Sequence, residues 1–191
     1  MSVSAIILAG GRAARMGGVD KGLIQFNSKP LIKHVISRLS PQVDEVIINA
    51  NRELTEYSAL GYRVLQDEVA NFPGPLAGIQ LGLKYATNDL VLCVPCDSPL
   101  LPENLVQALK TALIKDSADI AVATCGGKTH PVFCLCKKTL LPSLETFLAE
   151  GNRKVSAWQK GQRYTEVDFG VDSPAFENLN SPEDIIKLES K

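Results

Sequence analysis

No apolar run in this chain of 191 residues reaches the roughly 18 that a membrane span requires. No secretory signal is expected either. Met1-Ser2-Val3-Ser4-Ala5-Ile6-Ile7-Leu8 has no basic n-region, and its apolar stretch meets Gly10-Gly11-Arg12 too early. A cytoplasmic location is therefore expected. Charge of one sign is missing as well: 20 Lys+Arg stand against 21 Asp+Glu, a net charge of -1. Whole-molecule attraction to nucleic acid or to an anionic membrane is thereby excluded, and any anion site must be built locally from clustered cations. Internal repeats, low-complexity stretches and linkers are absent. With 45% hydrophobic and 21% charged residues the composition is that of a globular chain, and its length suits one core, so residues 1–191 are expected to form a single domain.

The five cysteines are odd in number and sit mostly inside apolar runs, which suits reduced, buried thiols. Cys93-x-x-Cys96 and Cys134-x-Cys136 have the look of two halves of a zinc site. However, Cys93 belongs to the continuous run Leu90–Val94, and Cys134 and Cys136 alternate with Phe133 and Leu135 as strand residues do. Structural zinc pairs usually straddle polar turns. Histidine is scarce, and His130-Pro131 is weak evidence for a proton carrier, reading more simply as a packed loop.

What is present is an alternation of strands and helices. Val3–Ala9 is a short β-branched run stopped by Gly10-Gly11, the pattern of a fully buried strand. After a glycine-rich loop come a short strand near residues 23–26 and a helix opening at Pro30, with Leu31, Val35, Ile36 and Leu39 at helical spacing. Strands follow at 43–50, 63–66 and 90–94, with a helix at 75–86 between the last two. A helix over 102–114, strands near 120–123, 132–136 and 164–169, and helices over 140–149 and 182–188 complete the order. Strands without a polar face alternating with helices call for a mostly parallel central sheet covered on both sides, a three-layer α/β/α, Rossmann-like arrangement. Ligands of such sheets bind beyond the carboxyl ends of the strands. This topology sets the loop after Ala9, the segment Asn49–Asn51, Asp67 and Asp97 along one edge.

The loop Gly10 to Lys21 holds four glycines and three cations, Arg12, Arg15 and Lys21. Glycines let consecutive backbone amides turn toward an anion, and charge-assisted hydrogen bonds from the cations suit a triphosphate. Neither familiar phosphate motif is present: Lys21 follows Asp20 and precedes Gly22, unlike a Walker A lysine, and no Gly-x-Gly-x-x-Gly occurs. From composition alone a solvated surface loop remains the alternative. Asp97, just past the run Leu90–Val94, offers a hard oxygen ligand for Mg2+, or else Asp97 or Ser98 caps the following helix. Asp67 ends a strand in the same way and reads as a site residue or a turn. Asn49 can serve a base or ribose, or satisfy local backbone groups.

The segment Leu8-Ala9-Gly10-Gly11-Arg12-Ala13-Ala14-Arg15-Met16-Gly17-Gly18-Val19-Asp20-Lys21 resembles the signature of the molybdenum cofactor nucleotidyltransferases, within the GT-A-like nucleotidyltransferase superfamily. Further pieces match in order along nearly the whole chain: Asn49-Ala50-Asn51-Arg52, Asp67, Gly74-Pro75-Leu76-Ala77-Gly78, Pro95-Cys96-Asp97-Ser98-Pro99, His130-Pro131 and Asn178 to Asp184. The resemblance implies a nucleotidyltransferase fold, with GTP contacted by Leu8, Ala9, Gly10, Lys21, Asn49 and Asp67, and Mg2+ held by Asp97. It places Arg15, Lys21 and Asp97 in catalysis, and Asn178 and Asn180 near the molybdopterin side, although a turn before Pro182 explains those two equally well. Gly10, where cytidylyl relatives tend to carry alanine in Leu-Ala-Ala-Gly, favours guanine by the same resemblance. Ala13-Ala14 departs from the small hydroxyl residue of many superfamily members, and Ser181 replaces a frequent Thr while keeping a hydroxyl able to cap the last helix.

The implied reaction is transfer of GMP from GTP to the terminal phosphate of molybdopterin, with release of pyrophosphate and formation of a guanine dinucleotide cofactor. A phosphate nucleophile is already ionised, so no general base is demanded. Transient contact with molybdopterin-carrying proteins accompanies this expectation. The alternatives are a transferase using CTP or a sugar or alditol phosphate, and a non-catalytic guanine-nucleotide-binding regulator. The latter has no need for Lys21, Asp67 and Asp97 together.

Overall fold

The computed structural model describes residues 1–11, 20–68, 74–171, 174–179 and 182–189. The first buried run is β1 (Val3–Leu8), followed by a small hairpin of β2 (Gln25–Phe26) and β3 (Lys29–Pro30) and by α1 (Leu31–Leu39). The chain continues through β4 (Glu45–Asn49), α2 (Leu54–Ser58), β5 (Arg63–Leu65), α3 (Pro75–Tyr85) and β6 (Leu90–Pro95). Next come α4 (Leu105–Lys115), β7 (Ile120–Cys125), β8 (Lys128–Lys137), α5 (Leu141–Ala149), α6 (Val155–Lys160), β9 (Tyr164–Asp168) and α7 (Pro182–Glu189).

Seven strands form one sheet in the order β5-β4-β1-β6-β8-β7-β9. All run in one direction except β8, which is antiparallel to both β6 and β7. The mostly parallel sheet is as expected, and the reversed strand has a local cause. Gly126 and Gly127, at φ of +56° and +72°, form the two-residue link between β7 and β8. Positive φ at both central residues matches the right-handed twist of a hairpin, so the chain doubles back instead of crossing over through a helix.

Alternate residues of β1 feed opposite layers. Ala5 and Ile7 pack with Ile32, Val35, Leu39, Leu105 and Leu109 of α1 and α4. Ile6 packs on the other face with Ile79, Leu83, Leu144 and Trp158 of α3, α5 and α6. Burial on both faces explains why β1 lacks a polar stripe. A third, smaller cluster joins Phe26, Leu31, Leu179 and Ile185, which ties the C-terminal segment to the start of α1.

Three local expectations differ from the structure. α4 begins at Leu105, later than residue 102, because the backbone from Ser98 to Asn104 is occupied by turns. α2 and α6 were not anticipated. They span 5 and 6 residues, too short for an apolar stripe to repeat; α2 buries Tyr57 alone, and α6 buries Trp158 with Val155 and Gln159.

Gly82 shows how closely α3 lies on the sheet. A Cβ there would stand 2.8 Å from Ile6 Cγ2 and 3.1 Å from Val91 Cγ1. Alanine gains about 1 kcal/mol of helix propensity over glycine, but overpacking a filled core costs about 1–3 kcal/mol. The clash with two branched, fully buried side chains should win. Gly82→Ala is expected to lower Tm by several degrees in a thermal melt, and an unchanged or raised Tm would show that α3 can shift freely.

Candidate active site

The crevice lies at the carboxyl ends of β1, β4, β5 and β6, and the sheet pairing continues for one residue beyond β1, β4 and β6. Ala9 N–H donates to Asn49 O (2.8 Å), Ala50 N–H to Leu65 O (3.0 Å) and Cys96 N–H to Leu8 O (3.2 Å). These bonds fix the strand ends, so the side chains that follow them project from a rigid edge. Leu8, Ala9, Gly10, Lys21, Asn49, Asp67, Asp97 and Asn178 all line one cleft there. Arg12, Arg15, Asn180 and Ser181 lie outside the described residues.

Asp97 and Lys21 meet in this cleft although 76 positions separate them, with Lys21 Nζ donating to Asp97 Oδ2 at 3.4 Å. Asp97 is 6% exposed, and its Oδ1 has no hydrogen-bond partner among the described residues. Burial raises the carboxyl above the ordinary aspartate range, and the Lys21 ammonium pulls in the opposite direction. A buried carboxylate with one oxygen unanswered is costly in isolation, and a hard cation would answer it. Helix capping does not explain the residue, because Asn104 is the residue preceding α4. Past Asp97 the C-terminal segment returns to the cleft. Leu179 N–H donates to Asp97 O (3.0 Å), and Ser98 Oγ donates to Asn178 Oδ1 (2.8 Å), which is how Asn178 reaches the site.

Lys21 opens a 3-10 turn, Lys21–Leu23, whose first residue is presented by Asp20. The Asp20 carboxylate is buried, caps the turn by accepting from Gly22 N–H at 3.3 Å, and accepts a short hydrogen bond from the Tyr57 hydroxyl. Burial, with the hydrogen bond to the Asp20 carboxylate adding to it, pushes the Tyr57 phenol far up, so it stays a donor. Arg52 Nη2 lies 3.8 Å from Asp20 Oδ2 and donates to Gly11 O at 3.4 Å, linking the two ends of the glycine-rich loop. Neither Tyr57 nor this use of Asp20 was read from the sequence. The only local signal was an aspartate directly before the lysine.

On the other side of the cleft Asp67 is held by two amides. Asn49 Nδ2 donates to its Oδ1 (2.9 Å) and Asn51 Nδ2 to its Oδ2 (2.7 Å), while Asp67 N–H donates to Asn51 Oδ1 (2.9 Å). Asn49 is therefore engaged with Asp67 and with Leu65 O as well as facing the cleft. Room for it depends on Gly78 of α3, where a Cβ would stand 2.5 Å from Asn49 Oδ1.

His130 stacks on Phe176 at 4.9 Å and meets the edge of Phe133 at 6.1 Å. Burial, with nearby Lys128, lowers its pKa, which describes a packed neutral ring. Cys93, Cys134 and Cys136 lie buried within β6 and β8, with Cys93 opposite Cys134 in the register, as strand residues should.

A mostly parallel α/β sheet with a lysine at the end of a glycine-rich loop, a buried aspartate and an asparagine-held second aspartate along its carboxyl edge is a nucleotidyltransferase framework. The chain belongs to the family described as the MobA-like NTP transferase domain, whose model matches residues 5–165. The molybdenum cofactor guanylyltransferase of Shewanella putrefaciens is 46% identical over 184 residues, covering 96% of this chain and 94% of its own length. That of Polynucleobacter asymbioticus is 46% identical over 193 residues, covering 99% of this chain and 96% of its own. Among solved structures, molybdopterin-guanine dinucleotide biosynthesis protein A from Archaeoglobus fulgidus matches with a TM-score of 0.78 at 20% identity, covering 98% of this chain and 97% of its own. The first two speak for family, and the third for fold alone. Among the described residues no helix is long and apolar enough to cross a membrane.

Proposed function

We propose that the chain transfers GMP from GTP to the terminal phosphate of molybdopterin, forming a guanine dinucleotide cofactor and releasing pyrophosphate. The observation that carries this reading is the meeting of Lys21 and Asp97 at 3.4 Å in the cleft that Leu8 to Gly11 also line. The relatives named as molybdenum cofactor guanylyltransferases support the choice of donor and acceptor. A terminal phosphate oxygen of the acceptor attacks the α-phosphorus, the bond to the bridging oxygen of pyrophosphate breaks, and the leaving group departs already charged. Positioning and charge compensation are then the whole task, and no proton acceptor is required.

In that task Lys21 neutralises phosphate charge, the backbone of Leu8, Ala9 and Gly10 seats the base, and Asn49 and Asp67 hold the nucleoside. The unanswered Oδ1 of Asp97 fits Mg2+, which Asp97 would hold together with phosphate oxygens. When bound, that ion supplies positive charge to the phosphates. Asn178, and Arg15 and Asn180 beyond the described residues, are assigned to the acceptor and phosphate sides. A cytoplasmic location and hand-over from a molybdopterin-carrying protein belong to the same reading.

The test is incubation with Mg2+, molybdopterin and either GTP or CTP, with pyrophosphate release measured and the product identified by mass. GTP should be preferred by about a hundredfold or more, and release should depend on molybdopterin. Preference for CTP would move the chain to a cytidylyl activity. Binding of GTP without any molybdopterin-dependent release would reduce it to a nucleotide binder.

A further inference from the structure

Two asparagines stand one residue apart at the end of β4, and the reading above uses only Asn49. Asn51 lies beyond the strand, half-buried, and its amide connects two separate parts of the cleft. Nδ2 donates to Asp67 Oδ2 at 2.7 Å and to Gly10 O at 3.3 Å, and Oδ1 accepts from Asp67 N–H at 2.9 Å. Both capacities of the amide, donor and acceptor, are thereby committed within the protein. What it joins is the backbone of the loop after β1 and the carboxylate that follows β5.

The same side chain meets Gly10 from a second direction. A Cβ built on Gly10 would stand 2.8 Å from Asn51 Nδ2 and 3.2 Å from Asn49 Oδ1. The first distance is closer than a Cβ atom approaches another heavy atom across a non-bonded contact. Asn51 cannot retreat without lengthening its bond to Asp67, because it is tied there at both ends of its amide. A bare backbone at position 10 and an asparagine at position 51 are two halves of one fit.

We infer that Asn51 is a positioning residue for the nucleoside end of the cleft, fixing the Asp67 carboxylate relative to the Gly10 backbone and requiring that position 10 carry no side chain. This rests on the GTP reading above, and it assigns Asn51 no contact with the reacting phosphates. Its loss should therefore weaken nucleotide capture and leave the chemical step almost intact. Partners that orient a binding group usually matter at the level of about 10- to 100-fold. The low end is expected here, because Asn49 still holds the other Asp67 oxygen.

The experiment compares wild type, Asn51→Ala, Asn51→Asp, Gly10→Ala and the Gly10→Ala/Asn51→Ala double variant. GTP affinity is measured by equilibrium dialysis with labelled GTP, KM and kcat by pyrophosphate release with molybdopterin, and folding by Tm. Asn51→Ala should raise Kd and KM for GTP about tenfold with kcat within about twofold, the signature of lost ground-state positioning. Asn51→Asp keeps the shape but sets an acceptor against the Asp67 carboxylate, so it should bind GTP at least as poorly. It also serves as the test should the alanine variant fail to fold. Gly10→Ala alone should weaken GTP binding similarly. In the double variant the 2.8 Å clash with Asn51 is gone and only the looser 3.2 Å contact with Asn49 Oδ1 remains, so binding should fall close to that of Asn51→Ala alone, a non-additivity that general destabilisation does not produce. Unchanged GTP affinity in both Asn51 variants, or Gly10→Ala and Asn51→Ala effects that simply multiply, would overturn the inference while leaving the functional reading standing. Wild type that binds no GTP in the same dialysis would remove the functional reading and the inference together.

Discussion

Asp97→Asn should lower kcat for GMP transfer by about 10^3-fold or more while leaving the protein folded. The substitution keeps size and the ability to accept from Lys21, and removes one negative charge. That charge sits at 6% exposure with one oxygen unanswered among the described residues, so it is not maintained for the sake of the fold. The direction of its pKa shift makes the point thermodynamically. A carboxyl whose folded pKa is raised holds its proton longer in the native state than in the unfolded chain. Stability therefore falls as pH rises from the unfolded aspartate value, about 3.9, through the higher folded one. Asp97→Asn should relieve that penalty at neutral pH, and the gain in Tm over wild type should shrink as pH is lowered toward the ordinary aspartate range. A loss of turnover accompanied by a gain in stability is the pattern of a residue kept for function. Turnover within about tenfold of wild type at saturating Mg2+ would remove Asp97 from the catalytic role.

The site was legible in the sequence where a topological rule could act and illegible where side chains meet by packing. Val3–Ala9 ended by Gly10-Gly11, and Leu90–Val94 followed closely by Asp97, each announce a buried strand and the residues past its carboxyl end. The crevice rule for parallel sheets then brings Lys21, Asn49, Asp67 and Asp97 to one edge without any knowledge of their contacts. What that rule does not supply is partnership. Tyr57 donates to Asp20 from 37 positions away, and Asn51 grips Asp67 from 16 positions away. Neither spacing has a period that marks it. The reversed β8 is a different kind of miss. Gly126-Gly127 between two β-branched runs is a hairpin signal readable from residue types alone, but the strand–helix rhythm of the preceding chain overrode it. The folding reason for α6 is likewise tertiary, because Trp158 is buried against α5 and the sheet while the helix itself is 6 residues long.

The arrangement also explains why the loop's basic end is anchored from beneath. Lys21 carries a long, rotamer-rich side chain, and holding it over a triphosphate costs conformational entropy. Part of that cost is met in advance. Asp20 is locked by Tyr57 and Gly22, which fixes the turn from which Lys21 projects, and Asp97 gives its ammonium a resting partner. The contact is 3.4 Å with Lys21 30% exposed, so solvent screens it and a phosphate can compete for the ammonium.

Lys21→Ala should therefore reduce kcat/KM for GTP by about 10^2- to 10^3-fold, through both nucleotide capture and the chemical step, since the charge faces phosphates that become more negative as pyrophosphate leaves. A second consequence separates this from simple loss of affinity. Lys21 is the group that opposes the burial-driven rise of the Asp97 pKa. Without it the carboxyl moves further up, and since the ionised form is the one assigned to catalysis, the acid limb of the pH–rate profile should shift to higher pH. Residual activity of the alanine variant should thus climb with pH over a range where wild type is already level. Lys21→Arg keeps the positive charge and should hold the acid limb near its wild-type position, while recovering only part of the rate because a planar guanidinium replaces a compact ammonium. Superimposable pH profiles for wild type and Lys21→Ala would mean that Lys21 and Asp97 are neighbours without functional coupling. Unchanged GTP kinetics in Lys21→Ala would take the lysine out of the site altogether.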